Sequence, residues 1–315
     1  FRGKVRLVYI DPPFDSGADY VRRVNLRGAR GTARLDGEAY TLGEQIQYTD
    51  IWANDNYLQF MYERLLLLKE LLTEDGSVYV HCDSHKVHLI RCIVEEVFSS
   101  DRFLAEIVWK RTNSHNSADR YGPVHDTILH YSKGDGYVWN KPLMTIDPDH
   151  IQRHYSRVDS SGEAYGLQEL TAPGLRRGET GTPWRGFDPN TLGRHWRWPP
   201  SQIEAMHAKG RIYLPESGGW PRLIAYKRDA NKHKPASDWW DDVTPLFMSS
   251  SEREQYPTQK PEALLERIVQ ASSNPGDLVL DCFVGSGTTA AVAQKLGRRW
   301  IGCDINKGAI QTTSK

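Results

Sequence analysis

The sequence predicts an α/β fold: a mainly parallel sheet with helices on both faces, its strands in permuted order, split by an irregular inserted region. Three observations carry this. Short β-rich runs alternate with helical apolar stripes over residues 1–135, the alternation lapses over 136–255, and it returns over 256–315. The expected organisation is therefore one α/β domain in two halves, 1–135 and 256–315, around a separate module at 136–255.

Residues 5–11 read V-R-L-V-Y-I-D, an apolar run stopped by Pro12-Pro13. Proline cannot continue a central ladder, so the run predicts a buried strand ending in a rigid turn. Leu58, Met61, Leu65, Leu68 and Leu72 recur at spacings of three and four before Asp75-Gly76, which predicts an amphipathic helix over 55–72. Residues 77–82 form a short strand, 86–98 a second helical stripe, and 104–109 and 127–131 two further strands. Between residues 136 and 257 lie 12 of the 17 prolines and 7 of the 10 tryptophans, with little periodicity. The rhythm returns as helix 261–272, turn Asn274-Pro275-Gly276, strand 278–283, helix 288–296 and strand 300–304.

Composition narrows the function classes. The 315 residues carry 40 basic and 40 acidic side chains, a formal net charge of zero, so any nucleic-acid contact must come from local patches. No strongly apolar run exceeds four residues, which excludes a transmembrane helix and leaves no membrane partner to expect. Cys82, Cys92, Cys282 and Cys303 form no CxxC pair and read as reduced thiols of a cytoplasmic protein. The chain opens on Phe1 without a charged-then-apolar leader, so nothing suggests export and a missing N-terminal piece is expected.

Residues 281–290, D-C-F-V-G-S-G-T-T-A, leave a strand through glycines and enter a helix. The chain turns sharply there and lets a ligand approach bare backbone. Asp304 ends the next strand, 19 residues after Gly285, where a carboxylate accepts hydrogen bonds from ribose hydroxyls. The pair is a nucleoside-cofactor signature. G-S-G-T-T-A also fits the dinucleotide pattern GxGxxG/A, but only 11 residues follow Asp304, so the remaining strands must come from the N-terminal half. Asp11-Pro12-Pro13-Phe14 follows a strand end and should face the same crevice. Its two prolines fix a carboxylate and a carbonyl beside an aromatic ring, an arrangement suited to gripping a planar heterocycle with an amino group.

These residues resemble a known family. Asp11-Pro12-Pro13-Phe14 looks like the D-P-P-Y/F motif of amino-group DNA methyltransferases, and residues 281–288 look like their D-x-F-x-G-x-G-T loop for S-adenosylmethionine. Residues 256–262, Y-P-T-Q-K-P-E, are similar to the element that closes over the cofactor. Catalytic motif first and cofactor loop last points to the β class, and the resemblance covers about residues 1–135 and 256–315, with weaker similarity over 194–226. Cys282 and Val284 depart from the proline and cysteine common at those positions, and both swaps keep the glycines.

The resemblance implies a permuted, Rossmann-like class I methyltransferase sheet, S-adenosylmethionine as cofactor and duplex DNA as substrate. It implies catalytic roles for Asp11, Pro12, Pro13 and Phe14, and cofactor contacts from Asp281, Phe283, Gly285, Gly287, Thr288 and Asp304 with Thr258, Lys260 and Pro261. Aspartate rather than serine at the head of the motif favours the 6-amino group of adenine over the 4-amino group of cytosine. It further raises a homodimer and a partner restriction subunit as expected associations.

Bland readings stand beside these. His81, Cys82, Asp83, His85 and His88 crowd together, but Cys82 should point away from His81 and no second ligand pair occurs, so no metal is expected. Asp83 either caps the following helix or lines the crevice. Residues 17–35 hold Arg22, Arg23, Arg27, Arg30 and Arg34 against Asp19, and Lys227, Arg228 and Lys232 lie in the tryptophan-rich insertion, the expected target-recognition region. Both patches suit phosphate contact, with a solvated basic loop as the alternative. Trp196 and Trp198 read as scaffold rather than base readers. A permuted nicotinamide-dependent oxidoreductase and a catalytically silent DNA-binding subunit remain as competing functions.

Overall fold

The computed structural model describes residues 1–13, 56–113, 121–230, 233–247, 250, 252, 256 and 258–314, and residues 19–23 and 44–49 as backbone. Its centre is a seven-stranded sheet: β1 (Val5–Ile10), β2 (Leu72–Cys82), β3 (Phe103–Lys110), β4 (His125–Ser132), β5 (Trp239–Trp240), β6 (Leu278–Asp281) and β7 (Arg299–Gly302). The spatial order is β5-β3-β4-β2-β1-β6-β7. All neighbours run parallel except β4, which is antiparallel to both β2 and β3. The last strands of the chain thus lie against the first: Leu7 pairs with Val279 and Val8 with Leu280. This is the expected permuted order.

Strand alternation sends side chains to two cores. On one face Val8, Ile10, Val78, Val80, Leu129 and Tyr131 pack under helices α1 (Asn56–Leu71) and α2 (Val87–Phe98). The stripe Tyr57, Met61, Leu65 and Leu68 is the buried side of α1, while Leu67 on its far side is exposed. On the other face Leu7, Tyr9, Tyr79, Ile128 and Val279 pack under α3 (Glu262–Ser272) and α4 (Thr288–Lys295). Each such aliphatic side chain removed from water contributes about 2 kcal/mol, so helices on both faces are what stabilise a sheet apolar on both sides.

Two differences from the sequence reading have local causes. β2 starts at Leu72, directly after α1, rather than at residue 77. Its first residues pair irregularly with β1, and a Cβ on Gly76 would meet Leu72 Cδ2 at 2.9 Å and Arg6 O at 3.0 Å, so the glycine serves a close approach within the strand. Trp239–Trp240 forms the edge strand β5 although residues 136–255 read as irregular. Two residues are too few to show alternation; the buried Trp240 ring and its indole bond to Ser237 O fix them.

Outside this sheet, Asp19–Arg23 pairs antiparallel with Glu44–Thr49. The chain divides into two compact units, Phe1–Pro142 with Pro235–Lys315, and Leu143–Lys234. The second unit holds a four-stranded sheet in the order Ile212–Tyr213, Arg222–Tyr226, Ala164–Glu169, Arg157–Val158. Its core gathers Leu170, Trp184, Trp196, Ile203 and Ile212, with Trp198 packed against it. Trp196 is fully buried and donates its indole N–H to Thr182 O at 2.8 Å, as a scaffold tryptophan does.

Candidate active site

Parallel strands deliver their carboxyl ends to one edge of the sheet, and a cleft of about 950 Å³ opens there. Asp11, Pro12 and Pro13 enter it after β1, the glycine loop after β6, and Asp304 after β7. Trp109 reaches it from β3, Arg111 from just beyond that strand and Asp126 from the start of β4, because an antiparallel neighbour begins where the others end. Thr258, Lys260 and Pro261, preceding α3, complete the wall, with Phe60 from α1 opposite Phe283 at 6.2 Å between ring centroids.

The glycine loop is braced by carboxylates. Asp281 accepts from Phe283 N at 2.9 Å through Oδ1 and from Thr289 Oγ1 at 2.6 Å through Oδ2, tying strand end to helix start. Gly285 and Gly287 hold φ of 51° and 89°, the left-handed region where a side chain is strained. A Cβ on Gly285 would stand 3.3 Å from the Tyr256 ring, so the bare backbone lies against that ring. Asp304 accepts from Gly285 N at 2.9 Å and from Asn306 N at 2.8 Å, one bond on each oxygen. Each oxygen keeps a second lone pair, so bracing the loop and meeting hydroxyls are compatible. Thr288 donates through Oγ1 to Lys260 O at 3.2 Å, joining α4 to the segment before α3.

Burial raises the Asp281 carboxyl to about 7; the bonds from Thr289 and Phe283 pull it down, and the nearby charges of Asp11 and Asp304 push it up. Four carboxylates, Asp11, Asp126, Asp281 and Asp304, and three cations, Arg64, Arg111 and Lys260, line the cleft. Asp11 contacts the Lys260 ammonium through Oδ2. Its Oδ1 is buried and has no hydrogen-bond partner among the described residues. Pro12 and Pro13 lie beside it in the cleft, and Phe14 falls outside the described residues.

Sequence reasoning missed a second polar cluster in the same unit. Tyr9 OH lies 2.9 Å from His81 Nδ1, His81 Nε2 lies 3.1 Å from Asp126 Oδ2, and Arg111 Nε stands 3.1 Å from Asp126 Oδ1. Burial pushes the Asp126 carboxyl up, but the hydrogen bond and charge of His81, with Lys260 and Arg111, outweigh it and hold the group below the usual range. Period-two alternation on β1 and β2, registered Tyr9 to Tyr79, was the available signal: it puts Tyr9 and His81 on one face. His81 is therefore engaged inside the sheet. Asp83 Oδ1 accepts from His85 N at 3.1 Å and Lys86 N at 3.0 Å, so it caps the turn into α2. Among the described residues no group of three or more His, Cys, Asp or Glu is placed to hold a metal.

The basic residues fall unevenly. Lys227 and Arg228 are exposed on the turn Lys227–Asp229, where the Arg228 guanidinium lies 4.6 Å over the Tyr226 ring and pairs with Glu163. Arg22 and Arg23 lie on the strand Asp19–Arg23 as backbone, and Arg27 and Lys232 fall outside the described residues. No helix among the described residues is long and apolar enough to cross a membrane.

Residues 5–315 match the family described as DNA methylase, N6_N4_Mtase. The chain is 74% identical over 255 residues to the type II methyltransferase M1.MboII of Moraxella bovis, covering 81% of this chain and 76% of that protein. It is 46% identical over 313 residues to the DNA adenine methyltransferase YhdJ of Escherichia coli, covering 98% and 74%. To the type II methyltransferase M.EcaI of Enterobacter cloacae it is 35% identical over 313 residues, covering 99% and 64%. The chain thus spans less than two thirds of the length of M.EcaI and about three quarters of the other two.

Proposed function

Because the chain belongs to the N6/N4 DNA methylase family, we propose that it transfers the methyl group of S-adenosylmethionine to N6 of an adenine flipped out of duplex DNA. The observation that carries this reading is the buried, unsatisfied Asp11 Oδ1 in the cleft that also holds the left-handed glycine loop. Leaving a charged oxygen buried without a donor costs about 1–3 kcal/mol, a cost a ligand N–H removes. The cradle fits the cofactor: bare backbone at Gly285, the rings of Phe283 and Tyr256, and the Asp304 carboxylate, which keeps a lone pair on each oxygen for hydroxyls. When bound, S-adenosylmethionine supplies an electrophilic methyl on a sulfonium.

The chain's own residues orient the amino group. Asp11 Oδ1 accepts one N–H and the Pro12 carbonyl the other, while Phe14 stacks on the base. Two acceptors held by a rigid turn bias the nitrogen toward tetrahedral character, leaving its lone pair aimed away from both. Positioning and fixed dipoles then lower the barrier. Gly285, Gly287, Thr288, Asp304, Asp281, Phe283, Thr258 and Pro261 bind the cofactor, directly or by shaping the loop. Lys227 and Arg228, with Arg22, Arg23, Arg27 and Lys232, contact DNA phosphates. Adenine is favoured over cytosine by Asp11 at the head of its motif and by the 46% identity to a relative named an adenine methyltransferase.

Asp11→Ala tests the assignment. Transfer should fall by about 10²-fold or more, as for other single acceptors or donors acting on a reacting group, while S-adenosylmethionine binding by calorimetry changes little. Near-normal turnover would remove Asp11 from the mechanism.

A further inference from the structure

Lys260 belongs to the segment that, by resemblance, closes over the cofactor, yet its ammonium meets a different group. It contacts Asp11 Oδ2, 249 residues away in sequence, with both side chains mostly buried at 13% and 17% exposure. A pair this sheltered is not a solvated surface ion pair, and its geometry restrains both partners.

Consider what Asp11 needs. Pro12-Pro13 fixes the backbone that follows, but nothing in a proline turn fixes the aspartate side-chain torsions. A free carboxylate rotates, and either oxygen then faces the cleft. With Oδ2 held by an ammonium, the carboxylate plane is set and Oδ1 is the oxygen left buried and open. The Lys260 backbone is fixed in turn, because its carbonyl accepts from Thr288 Oγ1, the first residue of α4, and Pro261 follows it at the start of α3. Lys260 therefore has its main chain on the glycine-loop side and its charge on the catalytic turn. The charge also acts on Asp126, the carboxylate anchored by His81, so the lysine sits among acidic groups whose attraction keeps it in the cleft.

We propose that Lys260 is a positioning residue for Asp11: it holds one carboxylate oxygen so that the other meets the target amino group, and it links that orientation to the cofactor loop. This rests on the reading of the site as a methyl-transfer centre and changes the role of one residue within it. A lysine that instead gripped the cofactor would matter to cofactor affinity and not to the step after binding.

The experiment separates the two. Lys260→Met keeps a flexible, unbranched side chain one atom shorter and removes the charge, and Lys260→Arg restores a cation. Turnover at saturating S-adenosylmethionine and DNA, and cofactor Kd by calorimetry, are measured for both, with circular dichroism confirming the fold. The positioning role predicts that Lys260→Met lowers kcat by about 30-fold or more with Kd within about threefold, and that Lys260→Arg recovers most of kcat. A Kd weakened tenfold or more with kcat retained overturns it, as does a loss of kcat that arginine leaves unchanged. Should the wild-type chain transfer no methyl to any DNA, the functional reading fails. The positioning role then falls with it, whereas a wild-type chain that transfers methyl and a Lys260→Met variant that does so unimpaired overturn the positioning role alone.

Discussion

Burial sets the charge of Asp281, and through it a pH dependence of stability. Its carboxyl rises from an ordinary 3.8 to about 7 in the folded chain, so the native state binds the proton more tightly than the unfolded state does. The sign follows from linkage: stability falls as pH rises from about 4 to about 7, and the loss is complete above that window. Asp281→Asn removes the titration while keeping an acceptor for Phe283 N. The melting temperature of the variant relative to wild type should therefore improve by several degrees between pH 5 and pH 8; a difference independent of pH would contradict the assignment. Asp11, Gly285 and Asp304 were legible in the sequence because each sits in a local pattern that a strand end explains. Tyr9, His81 and Asp126 were not, because they are single residues on three strands, 72 and 45 positions apart, joined only by sheet register.

At the level of elements, the helix starts matter most. Gly287 precedes α4 with φ of 89°, and a Cβ there would stand 2.9 Å from Thr313 Oγ1 and 3.0 Å from Thr313 Cα, in the helix Lys307–Thr313. Gly287→Ala should cost about 1–3 kcal/mol in backbone strain and displacement of that helix. Calorimetric affinity for S-adenosylmethionine should fall about tenfold or more in parallel; a variant with wild-type melting and affinity would refute the close approach. The long elements were readable because their apolar spacing spans several turns or pleats: α1, α2 and α3 lie within a residue or two of their expected ends. The strands Ala164–Glu169 and Arg222–Tyr226 were not readable, since both are short and mostly half-buried, with no sustained alternation of apolar and polar residues.

For the whole molecule, permutation is the organising fact. The strands β6 and β7, last in the chain, lie beside β1, and this brings Asp11 and the glycine loop, 274 residues apart by their leading positions 11 and 285, to one cleft. The sequence indicated this order because the Asp-Pro-Pro turn precedes the glycine loop along the chain while both follow strand ends that face one crevice. The unit Leu143–Lys234 was visible only as a change in texture; its tryptophan core needed three-dimensional packing to appear. The most direct test of the central claim is the chemical product. Purified chain is incubated with S-adenosylmethionine and unmethylated genomic DNA, the DNA is digested to nucleosides, and methylated bases are identified by mass spectrometry. N6-methyladenine, absent from an Asp11→Ala control, is the predicted result; N4-methylcytosine in its place would contradict the adenine assignment.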